Sequence, residues 1–246
     1  MQSLPSDTAI LLVRKNLDEV EPNDSVMYTD ENNDNLSLND IIRKNLPEAI
    51  NAIHLAAPVH LLEGEDFSFM PSAVTITSDG VLDFTLINEQ GQEEQAFLRL
   101  VFFRATKTGG PEDRIVTDVI PESSAEAHKQ LNPYIRGNYD RPILVKKQEL
   151  AGDSGKAPKF AFYSVRDLSR FSGADPMSAY MAISRFNYIK ELAYVAPTTQ
   201  TPNPSYKISS RLRQNIIDYL TAMVMETYGD QRAQNFYQRA SNFHKT

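Results

Sequence analysis

The sequence predicts an α+β fold in which helices from the two ends of the chain form a helical bundle, with a large antiparallel β-rich domain inserted between them. Three observations predict it. Apolar residues recur at helical spacing near both termini, and in the middle they alternate at a spacing of two. A proline-rich break, Pro197–Pro204, then sets the last helical stretch apart. The division that follows is residues 1–65 and 197–246 for the helical core and 66–196 for the β-rich domain.

The first helix fits Asp7 to Glu19, with Ile10, Val13, Arg14 and Leu17 on one face and Ser6 or Asp7 as its cap. The stretch Glu21–Asn35, rich in Asp, Asn and Glu, reads as a solvated loop. From Ser37 to Pro58, Leu38, Ile41, Ile42, Leu46, Ala49, Ile50 and Ile53 make a continuous helical stripe. Ser37 and Asp40 form a capping-box pattern at its start, and Pro58 closes it. Pro47 lacks the N–H that would reach the carbonyl four residues back, so a kink or a restart recapped by Asn45 and Glu48 is expected there.

From Phe67 the period changes. Val74, Ile76, Leu82, Phe84 and Leu86 alternate across a Ser78-Asp79-Gly80 turn, which signals a hairpin. Gln90-Gly91 makes the next turn, and Phe97–Phe103, apolar on both faces, is expected as a central third strand of a meander. A strand at Ile115–Ile120, a short helix at Ser123–Leu131, and strands near Ile143–Lys147 and Lys159–Tyr163 follow. Ile183–Val195 fits either a helix or a strand, and its β-forming residues favour the strand. After the break, Ile208, Leu212, Ile216, Leu220, Met223 and Thr227 form a helical stripe ending at Gly229; Asp230 caps a last helix bearing Ala233, Phe236, Ala240 and Phe243.

The 246-residue chain is long enough to bury a core without staples, and it contains no cysteine, which excludes structural disulfides, thiolate metal sites and cysteine nucleophiles. No apolar run approaches the roughly 20 residues of a membrane span, and the amino terminus lacks the basic start and apolar core of a secretion signal. The formal charge of −7 is uneven. Residues 1–65 carry 12 acidic and 4 basic side chains, residues 66–196 carry 17 and 15, and residues 197–246 carry 3 and 6. An acidic front and a basic tail do not make the broad cationic face that duplex DNA requires, but they do suit one copy's tail meeting another copy's front.

Motifs for chemistry fail on their partners. Gly152-Asp153-Ser154-Gly155 matches the tetrapeptide around a protease nucleophile, yet the early histidine available as a base, His54, lies within a helical stripe. Gly155-Lys156 is followed by Ala157 where a phosphate-binding loop needs Ser or Thr. Asp30, Asn32 and Asp34 have the spacing of the first calcium ligands of an EF-hand, but Asn35 replaces the turn glycine and Ile41 the bidentate Glu. His54 and His60 are six apart, which does not suit a pair of helical metal ligands, and read as one core-edge and one exposed histidine. Arg136, Arg141, Lys146 and Lys147 with Tyr134 and Tyr139 could pose as a nucleic-acid patch, but four basic residues over a dozen positions are common on ordinary surfaces and the chain is acidic overall. No catalytic, cofactor or metal site is expected. The Phe236, Tyr237 and Phe243 cluster of the last helix reads either as core or as a face that docks a partner.

The order of pieces resembles a known family. LLVRKNLDE (11–19), the acidic loop, and LNDIIRKNLPEAINAIHLAAPVHLL (38–62) resemble the amino-terminal helical pair of head-to-tail adaptor proteins of tailed bacteriophages. The resemblance extends to FLRLVFFR (97–104), HKQLNPYIRGNYDRPI (128–143) and YLTAMVMETYGDQRAQNFYQRA (219–240), and is nearest to the first ring protein of crAss-like phages. It implies a non-enzymatic virion protein, made in the host cytoplasm, that forms a ring of about twelve copies below the portal. Such a ring continues the DNA channel without binding DNA specifically and presents a platform to downstream tail or ring proteins. By motif position the portal-facing residues are Phe236, Tyr237, Arg239 and Phe243. The large β block departs from the compact helical members of the family. A different reading, a β-rich carbohydrate- or cell-surface-binding module, is motivated by 11 Tyr and 12 Phe and weakened by the absence of Trp.

Overall fold

A computed structural model describes residues 1–17, 26–29, 35–67, 74–76, 81–86, 96–106, 113–132, 134–138, 141–147, 158–164 and 182–243. In chain order the elements are β1 (Gln2–Pro5), α1 (Ser6–Asn16), β2 (Val26–Thr29), β3 (Asn35–Ser37), α2 (Leu38–Ala56), β4 (Glu65–Phe67), β5 (Val74–Ile76) and β6 (Leu82–Thr85). They continue with β7 (Arg99–Thr106), β8 (Asp113–Val116), β9 (Val119–Pro121), α3 (Ala125–Lys129), β10 (Ile143–Lys146), β11 (Lys159–Tyr163), β12 (Ala182–Ile189), β13 (Ser205–Ile208), α4 (Arg213–Thr227) and α5 (Ala233–Ala240). The fold is α+β. Its compact units are residues 1–63 together with 191–246, and residues 64–190.

In the first unit the two ends of the chain are paired. β1 runs antiparallel to β13, with Gln2 opposite Ile208 and Leu4 opposite Tyr206, and Leu4, Tyr206 and Ile208 are buried. The contact continues into α1. Pro5 occupies the cap position with no side-chain cap of its own, and Asn203 supplies the missing acceptor. Asn203 Oδ1 accepts from the Asp7 backbone N–H (3.0 Å) and from the Ser6 hydroxyl (2.9 Å), while the Ser6 N–H donates to the Pro204 carbonyl (2.9 Å). A helix start leaves its first N–H groups without intrahelical partners; here they are satisfied from 196 residues away. This corrects the expectation of a Ser6 or Asp7 cap. The helix also stops at Asn16, with Leu17 as its C-cap, rather than at Glu19.

α2 begins with the expected capping box: Ser37 Oγ accepts from the Asp40 N–H (3.2 Å) and Asp40 Oδ2 from the Ser37 N–H (3.3 Å). It runs through Pro47 as one helix, so the expected restart does not occur. Leu46, Pro47, Ala49 and Ile50 are all buried, and their packing offsets the one backbone hydrogen bond that proline forgoes. α4 is the helix on which the others converge, touching α1, α2 and α5. It starts at Arg213, because Ile208 belongs to β13 and Leu212 to a 3-10 turn. Its buried residues include Ile216, Ile217, Leu220, Thr221 and Val224, more than one face, while Thr227 is exposed.

The second unit holds a five-stranded sheet, β5-β6-β11-β10-β9, and a four-stranded sheet, β4-β12-β7-β8. The β5–β6 hairpin and the strand at Ala182–Ile189 agree with expectation, whereas the meander does not form. β6 pairs with β11, and β7 lies in the other sheet between β12 and β8. The reason is the core: Phe84, Phe160, Phe162 and Leu144 from one sheet interlock with Phe103, Leu100, Phe186 and Tyr188 from the other. The Phe103 and Phe162 rings meet edge to face at 4.7 Å, and Phe160 and Phe186 at 5.6 Å. The strand expected at Ile115–Ile120 is two strands, β8 and β9, in different sheets and separated by Thr117-Asp118. On the outer face of the five-stranded sheet, Val145 and Ala161 pack with Ala127 of α3, whose cap is Ser124.

Replacing Asn203 by Ala removes the acceptor at the start of α1 and is expected to lower stability by about 1 kcal/mol, read as a shift in the urea midpoint. His54 gives a pH signature. Burial in α2 lowers its pKa from 6.5 to about 4, so between those values the unfolded chain binds a proton that the folded chain refuses. Its contribution is complete above pH 6.5 and is lost as pH falls toward 4, a change on the order of 3 kcal/mol. Urea titrations of the wild type and of His54→Leu across that window should show the slope in the former and a flatter profile in the latter.

Candidate docking site

Of the residues singled out at the carboxyl end, Phe236, Tyr237 and Arg239 lie on α5, which packs on α4. Gly229 adopts φ +68, a conformation that side-chain-bearing residues enter at a cost, and so ends α4 and turns the chain. Asp230 Oδ1 then accepts from the Arg232 N–H (2.8 Å), but the cap of α5 is Arg232 and not Asp230 as expected. α5 buries Ala233 and Ala240, two small side chains seven residues apart that let it lie close to α4.

Polar contacts fix it there. Tyr237 donates its hydroxyl to Glu226 Oε2 (2.5 Å), and its ring meets Tyr219 edge to face at 5.1 Å. Desolvation and the neighbouring Glu226 carboxylate raise the Tyr237 pKa, so the phenol stays protonated as a donor. Arg239 donates to Asp218 Oδ1 (3.1 Å) and stacks its guanidinium 4.6 Å from the Phe236 ring centroid. Asp218 is buried; desolvation raises its pKa, opposed by the Gln214 hydrogen bond (2.9 Å) and the Arg239 charge. Asn215, also buried, donates to the Ala240 carbonyl (2.8 Å) and so holds the end of α5.

Of the four expected partner-facing residues, Phe236, Tyr237 and Phe243 are half-buried and Arg239 is exposed. Tyr237 and Arg239 face α4 with their hydrogen-bonding atoms. Phe243 lies past the end of the helix. The sequence reading missed Asn215, Asp218 and Glu226, the α4 side that receives them. Asp218 is four residues after Gln214 and three before Thr221 in the same helix, a spacing that flags a polar stripe but not what docks on it.

The remaining motifs fall partly outside the described residues. Ser154 and its tetrapeptide lie outside the described residues, as do Lys156, Ala157, Asp30, Asn32 and Asp34. Ile41 is buried in α2. His54 is fully buried, deeper than the expected core edge, and His60 is exposed. The basic and aromatic group disperses: Arg136 is buried, Lys147 is paired with Asp83 (2.6 Å), Lys146 sits 5.6 Å from the Phe97 ring centroid, and Tyr139 lies outside the described residues. Among the described residues no group of three His, Asp or Glu side chains is placed to hold a metal ion, and no helix is long and apolar enough to cross a membrane. No protein-family model, curated protein or solved structure matches the chain.

Arg239→Ala leaves the Asp218 carboxylate buried without its cation and is expected to cost on the order of 1 kcal/mol, discounted for the exposure of the guanidinium. Asp218→Asn should make the same Arg239 change nearly silent. A double-mutant cycle by urea denaturation checks this, and additive effects would exclude the pairing as a fastener of α5.

Proposed function

We propose that this protein is a structural component of a tailed-phage virion, a ring subunit of about twelve copies seated below the portal that connects capsid to tail and continues the DNA channel. In this reading residues 1–65 and 197–246 are the helical adaptor core and residues 66–196 are an inserted β-rich domain. The observation that carries the reading is the pairing of the chain's two ends, β1 with β13 and Asn203 with the start of α1. It gathers the helices of both termini into one unit, the arrangement that the resemblance to head-to-tail adaptors implies.

Charge supports the same reading. A subunit of a closed ring uses two different patches, one for each neighbour. The acidic residues 1–65 and the basic residues 197–246 supply opposite signs for such a heterologous contact. A channel that passes DNA also benefits from a lining without dense Arg or Lys, since strong phosphate contacts slow passage. The portal-facing element is α5 with Phe236, Tyr237 and Arg239, together with Phe243 just past its end. Downstream tail or ring proteins bind the opposite side of the ring.

The test is electron microscopy of the purified chain mixed with its portal protein. Rings coaxial with the portal are expected, and Phe236→Ser should reduce their occupancy on the portal while leaving the isolated chain folded. A monomer at high concentration that ignores the portal would overturn the assignment.

A further inference from the structure

α4 has two unlike sides. Ile216, Ile217, Leu220 and Val224 are buried along one of them, and the Thr221 hydroxyl on that side accepts from the Asn16 amide at the end of α1 (3.1 Å). The other side faces α5. The residues whose contacts reach it there are Asn215, Asp218, Tyr219 and Glu226, which with Ala222 line one stripe at helical spacing. None of the five is a large aliphatic side chain. Apolar burial thus holds α4 in the first unit, while α5 is held largely by directional polar bonds.

Bonds of that kind replace bonds to water and leave a small net gain. The docked position also buries the Asp218 carboxylate, and that desolvation raises its pKa. Undocking returns the carboxylate to water and recovers the cost. α5 itself has eight residues, short of the roughly 12–15 that an isolated helix needs to persist in water. Away from α4 it loses its helix, so undocking and unwinding are one event.

The joint between the two helices lets this happen without disturbing α4. Beside Gly229, with its φ of +68, the Gly229 N–H donates to the Glu226 carbonyl (2.9 Å) and the Asp230 N–H to the Met225 carbonyl (2.9 Å). The end of α4 is therefore capped before α5 begins. A Cβ built on Gly229 would meet nothing within 4 Å, so the joint stands clear of the packed elements.

We infer that the segment from Gln231 onward is an arm that folds on docking: α5 leaves α4 and unwinds as one unit, by an opening separate from the unfolding of α1, α2 and α4. The inference concerns the chain by itself and stands apart from the ring reading. Its consequence is reach. Eight residues span about 12 Å as a helix and about 26 Å extended, so the opened arm carries Phe236, Tyr237 and Arg239 to about twice the distance from Gly229.

Native-state hydrogen exchange of the full chain in increasing sub-denaturing urea tests it. The amides of Tyr237, Gln238, Arg239 and Ala240 are expected to exchange about 100-fold faster than those of Leu220 and Val224, with little dependence on urea, while the α4 amides accelerate steeply. Tyr237→Phe removes the hydroxyl that donates to Glu226. It should speed exchange in α5 about ten-fold and leave Leu220 and Val224 unchanged. Equal protection and equal urea dependence in the two helices would overturn the arm, as would a Tyr237→Phe variant that accelerates both helices by the same factor.

Discussion

Antiparallel pairing of Gln2–Pro5 with Ser205–Ile208 is the contact on which the first unit depends, because it brings chain segments some two hundred residues apart into one hydrogen-bonded edge. Its consequences run outward. Leu4, Tyr206 and Ile208 are buried along it, Asn203 satisfies the start of α1, and the segment after β13 is aligned to begin α4. Ser209, fully buried, donates to the Leu61 carbonyl (2.5 Å) and Arg211 to the His60 carbonyl (3.1 Å), so the exit of α2 is tied to the same segment. Asn51 pairs both its amide groups with the backbone of Leu192 (2.8 and 3.0 Å), a further bond between α2 and the returning chain. Closing so long a loop costs only slowly growing entropy, and buried apolar area along the shared edge offsets it.

The two ends of the chain hold their helices by different means. α2 and α4 are fastened by aliphatic side chains, whereas α5 is fastened by Asn215, by Asp218 with Arg239, and by Glu226 with Tyr237, around two buried alanines. Such fasteners are directional and contribute little beyond offsetting their own desolvation. Directional bonds of this kind give α5 a definite position; in the proposed assembly it is the portal-facing element by motif position.

How legible the fold was depended on whether the signal was local. The Ser37–Asp40 capping box, the β5–β6 hairpin and the stop at Gly229 are each written within a few residues, and each is present. The cap of α1 was not legible because its acceptor, Asn203, lies at the far end of the chain. β1 and β13 are four residues long, and Ile208 falls at a helical spacing from Leu212, so periodicity absorbed it into the following helix. The split of residues 113–121 between two sheets follows from aromatic packing across the core, which no single strand records. At the candidate site the aromatic side of the α4–α5 contact was readable, since Phe236, Tyr237 and Phe243 stand out in a polar helix. The acidic and amide residues that receive it were not, because Asp218 and Asn215 look like surface residues until a second helix covers them.

Native-state hydrogen exchange tests the pairing of the ends most directly. If that pairing holds the first unit together, the bonded amides of β1 and β13 exchange only through the same global opening that releases buried α4, near Leu220 and Val224. Exchange of those strand amides at the rate of an unstructured peptide, while α4 stays protected, would show that the helices stand without the shared edge and would contradict the account.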